Sequence, residues 1–184
     1  MKRYIVLAST AAIAVIAAKA YAFDGTINFA GNVSNVTCTI VAASGDNIGT
    51  VTLPTVTQSA LKAAGDTAGT TQFNIQLSNC AGNPAPTKAA AWFETGSEVN
   101  AAGRLIASVE GTATSALSIA LYNMGSPTPI AIGQGDGSIG SNGAAFDITG
   151  TGTTLKYQAK YYAETTGVPP GKVQAKVNYT IQYQ

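Results

Sequence analysis

The residue types that carry most protein chemistry are scarce in this 184-residue chain, which has no histidine, two cysteines, nine carboxylates and ten Lys or Arg. Without histidine there is no Ser-His-Asp or Cys-His nucleophile and no His-ligated zinc, haem or copper centre. The carboxylates Glu94, Glu98 and Glu110 fall on separate strand-like segments and a loop, so no two of them can be assigned as an acid–base pair. Gly135-x-Gly137-x-x-Gly140 formally matches a dinucleotide fingerprint, but those glycines serve phosphates only where a helix follows, and none does. The sequence therefore reads as a protein that is not an enzyme, with no catalytic residue, no cofactor and no metal.

The chemistry that remains belongs to Cys38 and Cys80. An even count in an exported chain reads as one structural disulfide made in an oxidising compartment, with a pair of buried free thiols as the alternative. Closing a loop of that length stabilises by about 4 kcal/mol in the chain-entropy picture. Export is itself legible. Lys2 and Arg3 make a basic start, residues 5–18 an apolar stretch rich in Ala, and Ala20-Tyr21-Ala22 a small-x-small cleavage pattern, so residues 1–22 are expected to be a signal peptide. The stretch is too short and Ala-rich for a spanning helix, and no later run reaches 18 apolar residues. Cleavage leaves 162 residues (184 less 22) with seven Lys/Arg against nine Asp/Glu, a net charge of −2 and no basic patch for nucleic acid.

The elements that must position the cysteines are short strands. With 46% hydrophobic and 10% charged residues the chain is too apolar for disorder, and one folded domain is expected. Gly, Asn, Thr and Pro clusters interrupt it every eight to twelve residues, and the runs between them alternate with a period of two, which predicts an all-β sandwich or barrel. Strands are expected over 26–33, 36–41, 50–53, 72–77, 89–94, 105–109, 116–123, 155–163 and 172–183. Residues 57–64 hold helix formers but stop at Gly65, enough for a turn or two, and 133–143 reads as a long flexible loop. Phe73, Ile75 and Leu77 alternate with Asn74, Gln76 and Ser78, one face buried and one wet, which calls for a two-layer core.

The two ends of the mature chain stand out. After Gly171 the apolar residues Val173, Ala175, Val177, Tyr179, Ile181 and Tyr183 alternate with Lys172, Gln174, Lys176, Asn178, Thr180, Gln182 and Gln184. A strand this long and apolar on one face needs partners on both edges. At the other end Gly25, Ile27, Phe29, Gly31 and Val33 alternate with Thr26, Asn28, Ala30 and Asn32, and a glycine within a strand marks a bulge or the close approach of another backbone. Alternation alone fits two arrangements: the ends pair within one monomer and close an ordinary sandwich, or each pairs with another chain.

Three motifs carry a resemblance across essentially the whole mature chain. They are the opening from Asp24 to Val33 leading into Cys38; the Cys38 and Cys80 pair, with Leu61, Gly65-Asp66-Thr67-Ala68 and Phe73-Asn74-Ile75-Gln76-Leu77 between; and the ending, with Gly171 fourteenth from the C-terminus and Tyr183 penultimate. Tyr157-Gln158-Ala159-Lys160-Tyr161-Tyr162 adds a fourth family-like strand. In these features the chain resembles the major subunits of chaperone-usher, type 1-like fimbriae.

The resemblance implies an incomplete immunoglobulin-like sandwich that lacks its last strand and is completed by donor-strand exchange. The domains become a signal peptide (1–22), a donor-strand extension (23–34) and a pilin domain (35–184). Gly25, Ile27, Phe29, Gly31 and Val33 become the donor strand; Gly171, Val173, Ala175, Val177, Tyr179, Ile181 and Tyr183 become the acceptor groove that a periplasmic chaperone covers first. The implied partners are identical subunits, that chaperone, an outer-membrane usher and a tip adhesin, and the implied destination is the cell-surface fimbrium by way of the periplasm. The function is then a structural shaft subunit supporting adhesion. The alternative is a minor or tip subunit, or an exported lectin-like binding module; against a two-domain tip adhesin, 162 residues leave no room for a second receptor-binding domain.

Overall fold

The computed structural model describes residues 27–31, 33–43 and 48–184. Within them the elements are β1 (Thr37–Ala42), a 3-10 turn (Gln58–Ala60), β2 (Thr67–Ala81), β3 (Lys88–Phe93), β4 (Leu105–Val109), β5 (Thr112–Asn123), β6 (Ala145–Asp147), β7 (Thr153–Ala163), β8 (Val173–Gln174) and β9 (Tyr179–Tyr183). One sheet runs in the order β1-β2-β7-β5-β4-β8 and the other β6-β3-β9. Every strand pair is antiparallel. The folded unit covers Ser34–Gln184, and the residues up to Val33 form a unit of their own.

The alternation written in the strands builds the core directly. Ile75 and Leu77 of β2 are buried while Asn74 and Gln76 are exposed, so one face of the larger sheet turns inward. They meet Phe93, Leu105, Ile119, Leu121, Leu155 and Tyr157 in the main cluster. A second cluster seats Leu61, just after the 3-10 turn, on Ala107, Val109, Leu117, Ala163 and Val168. The disulfide joins Cys38 of β1 to Cys80 of β2 across 42 positions, as the even count suggested.

Several expectations need correction. β2 begins at Thr67, before the expected 72–77 run, because Thr67 and Ala68 extend the ladder opposite Tyr162 and Tyr161 past a register shift between Ala68 and Thr71. Residues 50–53 form no strand; they run into Pro54, which has no N–H to give a ladder. β6 escaped notice because three residues carry no readable period. The 133–143 segment is fastened rather than loose. Asn142 is 5% exposed, and its amide accepts from Phe93 N at 3.1 Å and donates to Phe93 O at 3.3 Å, standing in for a strand partner on β3. Next to it a Cβ on Gly143 would sit 2.5 Å from Ala91 O, a close approach only glycine permits. No helix follows Gly140, so the glycine pattern binds no phosphate in the manner of the fingerprint.

Tyr157 ties the two sheets together. From β7 its hydroxyl accepts from Ala91 N of β3 at 3.1 Å and donates to Ala144 O at 3.2 Å, while its ring stands edge-on to Phe93 and Phe146. Burial pushes the phenol up to about 12. Tyr157→Phe keeps the rings but strands the buried Ala91 N–H, and is expected to cost about 1–3 kcal/mol in urea unfolding. Because the folded value lies above that of the unfolded chain, this phenol's contribution is whole below pH ~10 and is lost as pH climbs toward 12.

Sixty residues apart in sequence, Arg104 and Glu164 close a polar cluster outside β5 and β7. Arg104 donates through Nε at 2.7 Å and Nη2 at 2.6 Å, Ser118 Oγ at 2.6 Å and Asn100 Nδ2 at 2.8 Å, all to the Glu164 carboxylate. The guanidinium lies 4.1 Å from the Tyr162 ring centroid. The hydrogen bond from Arg104 is the main reason that Glu164 titrates below the ordinary carboxylate range. Its contribution is therefore present above the unfolded carboxylate value and disappears as pH falls through the lower folded one. Arg104→Ala takes away the cation but leaves the Ser118 and Asn100 donors on that carboxylate, with an expected loss of about 1.5–3 kcal/mol at neutral pH that narrows on acidification. Denaturant midpoints at neutral and acid pH measure both.

Candidate functional site: the C-terminal edge

The C-terminal segment enters the fold at Gly171. Its φ is +144°, and a Cβ there would stand 2.8 Å from Val109 Cγ1 and from Glu110 Cγ, so the backbone can pass the β4–β5 hairpin only without a side chain. Val173 and Gln174 then pair with Val109 and Ser108 as β8, the last strand of the larger sheet. Residues 175–178 belong to neither ladder. From Tyr179 the chain pairs with β3 as β9, with Tyr179 opposite Phe93, Ile181 opposite Ala91 and Tyr183 opposite Ala89. Gln184 O accepts from Thr87 N at 2.6 Å and Lys88 N at 3.0 Å.

The expected single strand over 172–183 is thus two short strands on different sheets. The four residues between carry the chain from one sheet to the other. The apolar alternation survives the break. Val173, Val177, Tyr179, Ile181 and Tyr183 are half-buried and pack on the main cluster, while Ala175, in the crossing, is exposed. Burial pushes the Tyr179 and Tyr183 phenols up. Both strands end their sheets, so among the described residues each has a ladder neighbour on one side only.

The other edges are blunted. β6 has three residues with the exposed Lys88–Asp147 ion pair beside it, and β1 carries a register shift and the disulfide. Among the described residues, only the C-terminal edge combines an open ladder with an apolar row that is half covered. The strand that receives β9 hides its role in sequence, since Ala89, Ala90 and Ala91 are all fully buried and show no period. Such a run is the mark of a central strand covered on both faces.

Of the residues expected as donor strand, Gly25 lies outside the described residues, as do the expected signal peptide, Phe23, Asp24, Thr26 and Asn32. The rest form no strand. Ile27, Phe29 and Val33 are 80%, 93% and 100% exposed, three large apolar side chains within seven residues. A Cβ on Gly31 would meet nothing within 4 Å. A hollow lined by Asn100, Ile106, Thr114, Leu117 and Glu164 also opens on the surface, but its carboxylate is fully engaged by the Arg104 cluster.

Two packed antiparallel sheets with an uncovered apolar edge define an incomplete immunoglobulin-like sandwich, a protein short of one strand. Comparison places it. The sequence matches the fimbrial protein family over residues 27–184, and the chain belongs to that family. It is 39% identical over 170 residues to the major fimbrial subunit SMF-1 of Stenotrophomonas maltophilia strain K279a, covering 89% of this chain and 95% of that one. To the F17 fimbrial protein of Escherichia coli it is 36% identical, covering 89% of each chain. Among solved structures it shares the fold of the P pilus rod subunit PapA, with a TM-score of 0.58 at 21% identity over 80% of this chain and 99% of that one.

Proposed function

We propose that this chain polymerises by donor-strand complementation: residues 23–34 of one copy lie along the C-terminal edge of the next, as a structural subunit of a surface fimbrium. The observation that carries the reading is the coincidence of a half-covered apolar row on an open edge with Ile27, Phe29 and Val33 standing exposed elsewhere in the same chain. Strand addition supplies main-chain hydrogen bonds for affinity and alternate side chains for register. Burying the three apolar side chains is worth roughly 5 to 9 kcal/mol at 1.5 to 3 each.

In this reading residues 1–22 direct export, 35–184 form the pilin domain, a periplasmic chaperone lends the missing strand, and an outer-membrane usher exchanges it for the next subunit's extension. A tip adhesin occupies the distal end. The family membership and the strand-short fold support a shaft subunit over a free binding module. Gly31→Leu tests the interface. A side chain at Gly31 meets nothing in its own chain, so the subunit should fold and reach its chaperone normally. Inside a neighbour the added bulk should cost about 1–3 kcal/mol or more and stop assembly. Electron microscopy of sheared surface material should show filaments for the wild type and few for the variant; wild-type filament yield would remove Gly31 from the contact.

A further inference from the structure

The three carboxylates that make no acid–base pair all contact the C-terminal segment. Glu110, at the end of β4, accepts from Lys172 N at 2.6 Å through Oε1 and donates its own N–H to Lys172 O at 2.9 Å. Glu98, in the segment between β3 and β4, pairs with Lys176 Nζ at 3.3 Å. Glu94, just past β3, accepts from Thr180 Oγ1 at 2.6 Å and gives its N–H to Asn178 O at 2.9 Å. The side-chain partners Lys172, Lys176 and Thr180 are four residues apart: one before β8, one in the crossing from one sheet to the other, and one in β9.

That crossing is where the edge is weakest. β8 contributes two paired residues and 175–178 none, so local opening of this stretch is resisted by few contacts and each one counts. All three carboxylates grip the polar side of the segment, leaving the apolar row and the open ladder uncovered. We infer that Glu94, Glu98 and Glu110 are positioning residues that hold the C-terminal segment extended in advance, so that an incoming strand meets a formed edge and not one it must order. The inference rests on the strand-acceptor reading above.

The test compares the full exported chain with the triple variant Glu94→Ala, Glu98→Ala, Glu110→Ala, reading amide hydrogen exchange and binding of a synthetic peptide of residues 24–34. Exchange near 172 and 180 should quicken roughly fivefold for each lost Glu110 or Glu94 hydrogen bond, and less near 176, where the Glu98–Lys176 pair is exposed, while β2 and β7 amides stay unchanged and the peptide binds correspondingly more weakly. Glu94→Gln with Glu110→Gln keeps both acceptor oxygens and should restore wild-type values. For Glu98, the loss in Glu98→Lys should be recovered by adding Lys176→Glu. Unchanged exchange in the triple variant overturns the inference. Faster exchange with unaltered peptide affinity does so too, reducing the contacts to a structural role. If the wild-type chain binds no peptide, the strand-acceptor reading itself falls and takes the positioning role with it.

Discussion

A chain lacking residues 23–33 is expected to be only marginally stable until a partner covers its C-terminal edge, and to build no filaments at all. The removed residues contribute little to the described fold: Ile27, Phe29 and Val33 are exposed and a Cβ on Gly31 touches nothing. Their loss should therefore spare chaperone capture and abolish donation. Appending a copy of residues 24–34 after Gln184 through a short flexible linker should fill the open edge from within. The tether makes strand addition intramolecular, at an effective concentration of roughly millimolar or above. The roughly 5 to 9 kcal/mol of apolar burial it brings is comparable to the whole stability of many domains. Size-exclusion and urea unfolding should show a soluble monomer far harder to unfold than the deletion variant. If the deletion variant alone is a stable, cooperatively unfolding monomer, the edge needs no donor and a closed binding module becomes the better description.

Ile181→Asp with Tyr183→Asp is expected to have the second largest effect, the loss of the subunit before assembly. Both side chains are half-buried against the main cluster, opposite Ala91 and Ala89 of β3. A carboxylate at either place faces an apolar surface. Keeping both ionised there costs several kcal/mol even with part of each side chain in water. The same substitutions spoil the row that an added strand must cover. The variant should be degraded in the periplasm, read as loss of chaperone complex in periplasmic extracts; normal accumulation would place the acceptor surface elsewhere.

Much of this was legible in sequence, because strands facing one core must alternate and these do. The 105–109 strand is observed with the bounds that its pattern gave, and 155–163 and 116–123 lie wholly within β7 and β5. The disulfide followed from an even count in an exported chain. The failures share a cause. Alternation reports which face is buried and is silent on which neighbour supplies the ladder, so residues 172–183 read as one strand although Val173 answers to β4 and Tyr179 to β3. Ala89 to Ala91, buried on both faces, gave no period, yet the strand expected over 89–94 is observed there as β3, one residue earlier at each end. The pairing of Arg104 with Glu164, and the hold of Glu94, Glu98 and Glu110 on the C-terminal segment, join positions separated by 60 or more residues, where no local spacing rule reaches.

The position of the disulfide acquires a mechanical meaning once copies are joined end to end. Cys38 is the second residue of β1 and stands five positions after Val33, so a pull arriving through the N-terminal segment reaches a covalent staple almost as soon as it enters the folded unit. Without it, tension would act on the first rungs of an edge strand and unzip β1 one hydrogen-bonded pair at a time. With it, the load passes at Cys80 into β2, the 15-residue strand laddered to β1 on one side and β7 on the other, where many rungs must yield together. A filament made of such units should resist stretching by shear across its longest strand, not by peeling from its weakest one.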